Sequence, residues 1–355
     1  MTHPYQEMEL FARQALGLRE EVTFHMLPVG KGGSIRSFHR IRYRDNRSAV
    51  FMHYDRGNKE NTYYAAIAGF LRYIDVPAPL IIAHDPHRGF IVMEDLGDAD
   101  LWSFRHEPWA VKSAFYRKTL TIAHRLHFFP VEEFPSRKVP LMERFSPDLY
   151  RWERNYFREN FVQDVCGIEL KPSDRDELED ELKGLSDRLE NIKPCLVHRD
   201  IQSQNVMICK GEPVLIDFQG MRFGNLFYDL GSLLYDPYVF FTEDERLELL
   251  RYYYLLWISD RNEINTVHKG RVTLSLTWMY FLDMFLDASA QRLMQALGAY
   301  GFLGLKRGIS EFLKHIPNGV ANLIDAATRA KHLPLLKNLA LNCKYALKSR
   351  ESTHR

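Results

Sequence analysis

The chain is expected to fold as an α+β protein of two unequal lobes, a small strand-rich lobe of residues 1–96 and a larger, mainly helical lobe of residues 97–355. Three observations lead there. Residues 24–54 alternate between apolar and polar in the manner of half-buried strands. The apolar run Phe90-Ile91-Val92-Met93 turns abruptly into Glu94-Asp95-Leu96-Gly97-Asp98, as a linker between lobes would. Beyond it, apolar residues recur at helical spacing. With 355 residues, 46% of them hydrophobic and 13% aromatic, the chain is long enough to fill two cores, and its aromatic content argues against disorder.

A helix containing Met8, Leu10, Phe11 and Leu16 comes first. A strand-loop-strand unit from Phe24 to Tyr54 follows and holds the glycine cluster of the first half, Gly30-Lys31-Gly32-Gly33-Ser34. Without Cβ atoms in the way, amides of such a loop can approach phosphate, although a plain hairpin turn would use the same glycines. Glu60 to Tyr73 has helical spacing in Tyr64, Ile67, Ala68 and Leu71, and stops before Pro77 and Pro79. Leu80-Ile81-Ile82, a turn at His84-Asp85-Pro86 and the strand Phe90 to Met93 complete the small sheet. In the larger lobe Val111, Phe115, Ile122, Leu126 and Phe129 mark one helix. Leu178, Leu182, Leu185 and Leu189 mark another, expected to begin after Pro172-Ser173 with Asp176 in capping-box position. Thr242 reads as the start of a further helix, and the greasy stretch Leu274 to Leu286 as a buried one.

Composition excludes several function classes. The 47 Lys and Arg nearly balance the 46 Asp and Glu, for a net charge of +1, so no global field favours nucleic acid or an anionic membrane. No apolar run reaches spanning length, and Glu7 and Glu9 stand where a secretion signal would need an apolar core, so none is expected. Cys166, Cys195, Cys209 and Cys343 are widely separated and form no C-x-x-C pair, which suggests a reducing, cytoplasmic setting.

The chemistry is concentrated in His198-Arg199-Asp200-Ile201-Gln202-Ser203-Gln204-Asn205, followed after a spacer by Ile216-Asp217-Phe218-Gln219-Gly220. The short apolar runs Leu196-Val197, Val206-Met207-Ile208 and Pro213-Val214-Leu215-Ile216 read as strands, the last two joined by a turn at Gly211. Antiparallel pairing across that turn would bring Asn205, before one strand, close to Asp217, after the other. Two hard oxygen ligands then converge, which suits Mg²⁺ with phosphate and water as its other ligands. Asp200 would accept the proton of an attacking hydroxyl, as in the H-R-D-x-x-x-x-N pattern of phosphoryl transfer with ATP. The same residues could be turn formers of a polar hairpin, but the full pattern with a correctly placed D-F is far rarer than any lone motif.

These motifs resemble the aminoglycoside phosphotransferase and choline kinase superfamily of protein-kinase-like small-molecule kinases, over most of the chain. Within it, Lys59-Glu60-Asn61, Val92-Met93-Glu94-Asp95-Leu96-Gly97-Asp98, Asp217-Phe218-Gln219 and Gln291-Arg292-Leu293-Met294-Gln295-Ala296-Leu297-Gly298 resemble the bacterial anomeric kinases of N-acetylmuramate and N-acetylglucosamine in cell-wall recycling. The resemblance implies a bilobal fold, ATP and Mg²⁺ as cofactors, and a pathway partner, a nucleotidyltransferase, that consumes the sugar 1-phosphate. It also implies that Gly30, Gly32, Gly33 and Ser34 cover the phosphates, and that the backbone of Glu94, Asp95 and Leu96 holds adenine. Asp229 would brace the loop at His198 and Arg199. Gln202, Gln219, Asp236 and Arg292 are the acceptor-side candidates. Arg292 could clamp an acceptor carboxylate or pair with Asp283 or Asp287.

One departure stands out. The third strand, Ala49-Val50-Phe51-Met52-His53-Tyr54, lacks the lysine that holds the α- and β-phosphates in protein kinases. His53 or Lys59 could serve instead, or be an ordinary local and a solvated residue respectively. The alternative functions are an aminoglycoside kinase, with an anionic pocket built from residues such as Asp229, Asp236, Glu243, Asp244, Glu245 and Glu248, and a choline-like kinase caging a cation with Tyr235, Tyr238 and Trp278. A catalytically silent nucleotide-binding module is the third.

Overall fold

The computed structural model describes residues 4–29, 36–43, 47–267 and 277–353. The glycine cluster Gly30 to Ser34 and the start of the greasy stretch, Leu274 to Leu276, lie outside the described residues.

The first element is helix α1 (Pro4–Ala15), followed by strands β1 (His25–Val29), β2 (Ser37–Tyr43) and β3 (Arg47–His53). Helix α2 (Tyr64–Tyr73) and strands β4 (Ile81–Asp85) and β5 (Phe90–Glu94) complete an antiparallel sheet of order β1-β2-β3-β5-β4. Period-two alternation sends Ala49 and Phe51 of β3, with Phe90 and Val92 of β5, toward Met8, Phe11 and Ala12 of α1. Met52, Ile91 and Met93 face the other way, toward Ile67 and Leu71 of α2 and the core that continues into the rest of the chain. Both faces are therefore covered, which is why β5 is apolar at every position from Phe90 to Met93.

The remainder is helical around two small strand pairs. Helices α3 (Trp109–Phe128), α4 (Pro147–Phe157) and α5 (Pro172–Glu190) precede β6 (Cys195–Val197), β7 (Val206–Cys209), β8 (Glu212–Leu215) and β9 (Arg222–Gly224). Helices α6 (Leu226–Leu234), α7 (Glu243–Val267), α8 (Trp278–Gly301), α9 (Ile316–Arg329) and α10 (Pro334–Thr353) follow. The β7–β8 hairpin pairs Val206 with Leu215 across a turn at Lys210 and Gly211, both at positive φ, while β6 pairs with β9.

Several sequence expectations shift. The helix over Glu60 to Tyr73 opens as a 3-10 turn, Lys59–Tyr63, whose Glu60 amide donates to Asn58. His84 and Asp85 belong to β4, and the turn falls after them, where Asp85 accepts from the amides of His87 and Arg88. Helix α5 starts on Pro172 itself, with Lys171 before it and no side-chain cap; Asp176 closes no capping box, because it then stands at the fifth helical position and Lys171 offers no side-chain acceptor. Val111 is exposed on α3, while Ile122 and Leu126 of the expected stripe are buried together with Tyr116, Leu120 and Ala123. Thr242 does cap α7: its hydroxyl accepts from the Glu245 amide, and its own amide donates to the Glu245 carboxylate. Helix α8 is exposed in its first turn at Met279 and Tyr280 and buried from Met284 to Met294.

Helices α6 and α8 carry two residues of the site described below, and Gly231 lets them approach. A Cβ there would lie 2.9 Å from the Ser289 Cα. Gly231→Ala is expected to destabilise the protein by about 1–3 kcal/mol, because backbone rather than a flexible side chain must yield. Urea unfolding measures it.

Candidate active site

The residues of the H-R-D-x-x-x-x-N run form the loop between β6 and β7. Asp229, near the start of α6, holds that loop from beneath. Its Oδ2 accepts from the His198 amide and its Oδ1 from the Arg199 amide, both at 2.7 Å. His127 of α3 donates from Nε2 to the same Oδ2 at 3.0 Å, and Tyr253 lies 2.7 Å from its Nδ1. The Asp229 and His127 side chains have no exposure at all. This clamp sustains a left-handed backbone at Arg199, φ 82°, a conformation that a non-glycine residue keeps only when its surroundings impose it.

Asp200 follows directly, and two guanidiniums flank it. Arg292 Nη2 of α8 donates to its Oδ1 at 3.1 Å, and Arg199 Nη1 lies 3.8 Å from its Oδ2. Arg292 is itself fixed, through Nε to Ser232 at 3.3 Å and through Nη1 to Gln295. The partners expected for it are engaged elsewhere, Asp287 with Arg188 at 2.6 Å and Asp283 near Lys331 at 3.8 Å. Burial pushes the Asp200 carboxyl up, but Arg199 and then Arg292 outweigh it and hold the group below its ordinary range.

A lowered folded-state value means that the stability Asp200 contributes is present above its unfolded value of about 3.9 and is lost only as pH falls through the lower folded value. An acidic limb of kcat/KM set by Asp200 is therefore expected at lower pH than an ordinary carboxylate would give. Arg292→Met should move that limb upward, which a pH–rate profile reads.

The hairpin sets the backbones of the two candidates side by side: the amide of Ile216, the residue before Asp217, donates to the Asn205 carbonyl at 3.0 Å. The Asn205 side-chain amide donates to the Asp200 carbonyl at 3.0 Å, which leaves its Oδ1 as the atom available to a cation. Asp217 stands at φ 63°, again left-handed, and Phe218 behind it is fully buried, its ring 4.5 Å from Tyr64 of α2. Arg36, directly before β2, forms an ion pair with Asp217, and Gln219 Nε2 donates to the same oxygen at 3.0 Å. Two hard oxygen donors beside a position that already attracts a cation fit Mg²⁺. Among the described residues, no cluster of three or more His, Cys, Asp or Glu side chains offers another metal site.

Not every candidate falls here. Asp236 is fully buried, and its oxygens accept from the amides of Ser203 at 2.8 Å and Tyr238 at 3.0 Å; it braces the far end of the loop and does not face an acceptor. Gln219 donates through Nε2 to Asp217 while its buried Oε1 has no hydrogen-bond partner, and Gln202 stays partly exposed beside Asp200. His53 is exposed at the end of β3 with its ring edge-on to Phe90, and Lys59 is exposed as well. At the linker Glu94 Oε2 accepts from the Leu80 amide, while Arg40 of β2 grips Asp95 at 2.7 Å and Asp98 at 2.7 Å. Leu96 is partly exposed between them. Arg36 and Arg40 escaped sequence reasoning. For Arg36 its place two residues after the glycine cluster was the available signal.

Residues 25–263 match the phosphotransferase enzyme family. The chain is 24% identical over 239 residues to an N-acetylmuramate/N-acetylglucosamine kinase of Neisseria meningitidis, covering 66% of this chain and 68% of that one. It is 23% identical over 341 residues to a protein of the same name from Pseudomonas aeruginosa, covering 93% and 91%. Among solved structures, a choline kinase from Cryptosporidium parvum superposes with a TM-score of 0.59 at 13% identity, covering 97% of this chain and 99% of that one, so the two share the bilobal protein-kinase-like fold.

Proposed function

Because the chain belongs to the phosphotransferase enzyme family, we propose that it transfers the γ-phosphoryl group of ATP to the anomeric hydroxyl of N-acetylmuramate or N-acetylglucosamine. It is a phosphotransferase with an alcohol acceptor; the sugar is our reading, in line with the names of its relatives. The observation that carries it is the pair of guanidiniums beside Asp200. They make the base weak, and a weak base is matched to a hydroxyl more acidic than an ordinary alcohol, as an anomeric one is. They also make the surroundings of the acceptor positive, which suits a neutral or carboxylate-bearing sugar.

A polycationic acceptor is disfavoured for the same reason. Asp229 and Asp236 are buried and fully engaged, Glu245 caps α7, Glu248 pairs with Arg117 and Glu243 with Arg329. A choline-like cage is no better supported: Tyr235 is buried against Phe285 with its hydroxyl on Asp325, and Trp278 packs on Tyr254.

In the proposed reaction Asp200 orients the hydroxyl and takes its proton as the sugar oxygen bonds to the γ-phosphorus. The bond from that phosphorus to the bridging oxygen breaks, and ADP leaves. Asn205 and Asp217 would hold Mg²⁺, which neutralises the phosphate charge when bound. We assign residues 1–96 to nucleotide binding, with the glycine cluster over the phosphates and the Glu94 to Leu96 backbone at adenine, and residues 97–355 to the catalytic loop and acceptor. Positioning and charge neutralisation carry the rate. Four free cysteines support a reducing compartment, and among the described residues no helix is long and apolar enough to cross a membrane.

ADP release with ATP and Mg²⁺ against N-acetylmuramate, N-acetylglucosamine, other hexoses, choline and kanamycin tests the proposal. Turnover on an N-acetyl sugar is expected. Turnover on choline or kanamycin alone would overturn the acceptor, and nucleotide binding without turnover on any would favour the silent module.

A further inference from the structure

Transfer from a nucleotide needs a protein cation on the phosphates beside the metal, and β3 supplies none. Ala49 and Phe51 are buried toward α1 and Met52 toward α2, Arg47 is exposed at the far end of the strand, and both His53 and Lys59 point to solvent. Arg36 differs from them in every respect that matters. Its side chain is only 8% exposed, it stands directly before β2 and two residues after the glycine cluster, and it bridges to Asp217, one of the two metal-holding candidates. The carboxylate oxygen it touches also accepts from Gln219. A divalent cation on Asp217 would compete directly with this guanidinium, leaving a planar fork of donors at the metal's edge. Such a fork matches phosphate oxygens in two parallel hydrogen bonds.

We propose that Arg36 is the phosphate-binding cation of this enzyme, standing in for the strand lysine, and that it passes from Asp217 to the nucleotide phosphates when the metal-nucleotide complex enters. The inference rests on the kinase reading above and adds a residue to it. Arg36 thus occupies the metal-binding carboxylate while the site lacks nucleotide, and neutralises phosphate afterwards. Lysine at the same position would keep the charge and lose the fork.

Calorimetric titration with MgADP, paired with Mn²⁺ titration in the absence of nucleotide followed by the electron-spin signal of free Mn²⁺, tests it. Arg36→Ala is expected to weaken MgADP binding by about tenfold or more, while Mn²⁺ alone binds more tightly because its competitor on Asp217 is gone. Arg36→Lys should recover part of the MgADP affinity. The double variant His53→Ala/Lys59→Ala should bind MgADP as the unaltered protein does. Opposite shifts of nucleotide and metal affinity are what a merely structural arginine would not produce. Unchanged MgADP affinity in Arg36→Ala, beside measurable binding by the unaltered protein, would overturn the inference alone. So would a parallel loss of both affinities, or loss of MgADP affinity in the double variant only. Failure of the unaltered protein to bind MgADP would overturn the kinase reading and the inference with it.

Discussion

Asp200→Asn should lower kcat by about a thousandfold or more while leaving nucleotide affinity unchanged. The substitution keeps an oxygen for Arg292 to donate to and so preserves the geometry of the loop. It removes the basic oxygen that takes the acceptor proton in the proposed reaction, and general-base contributions of this kind are worth about 10²- to 10⁴-fold. On the proposed assignment nucleotide binding rests on other side chains, Asn205 and Asp217 among them, so MgADP titration should not distinguish the variant from the unaltered protein. Initial rates at saturating sugar check the first half, and calorimetry the second. Turnover near the unaltered rate would remove Asp200 from the reaction.

The second large effect is expected at Asp229, which touches no reacting group. Its carboxylate receives two backbone amides and one imidazole N–H in a volume closed to water. Asp229→Ala leaves those donors buried without an acceptor, and stability should fall by about 3–5 kcal/mol. Asp229→Asn keeps the volume but points an N–H₂ group at donors. It should remain folded at a smaller cost, with a strongly reduced kcat, because the left-handed backbone at Arg199 and the placement of Asp200 depend on the clamp. Urea unfolding of both variants and the kcat of the second measure this. Stability like that of the unaltered protein in Asp229→Ala would contradict the assigned role.

What could be read from sequence, and what could not, follows from the distance along the chain over which each contact forms. Asp200, Asn205 and Asp217 lie within one loop and the hairpin after it, so motif spacing and the turn at Gly211 were enough to bring them together. The Asp229 clamp was legible only through resemblance, since nothing in spacing reveals which carboxylate caps a loop from beneath. Arg292 reaches Asp200 from 92 residues away and Arg36 reaches Asp217 across 181. Both contacts exist because helices and lobes pack as they do, and no local pattern encodes them. Asp236 was misread because a polar residue just before a loop looks the same in sequence whether it faces a cleft or caps backbone amides. The alternating strands were legible for the opposite reason: a period-two pattern records directly which face each residue covers, and in β3 and β5 both faces are covered.

Phosphorus NMR of the product formed from ATP, Mg²⁺ and N-acetylmuramate or N-acetylglucosamine tests the central proposal most directly, because it reports the position of the new phosphate. A phosphate coupled to the anomeric proton and released by mild acid is the expected result. A phosphate on any other hydroxyl, or a product only from an amine-bearing acceptor, would contradict the match between a weak base at Asp200 and an acidic anomeric hydroxyl.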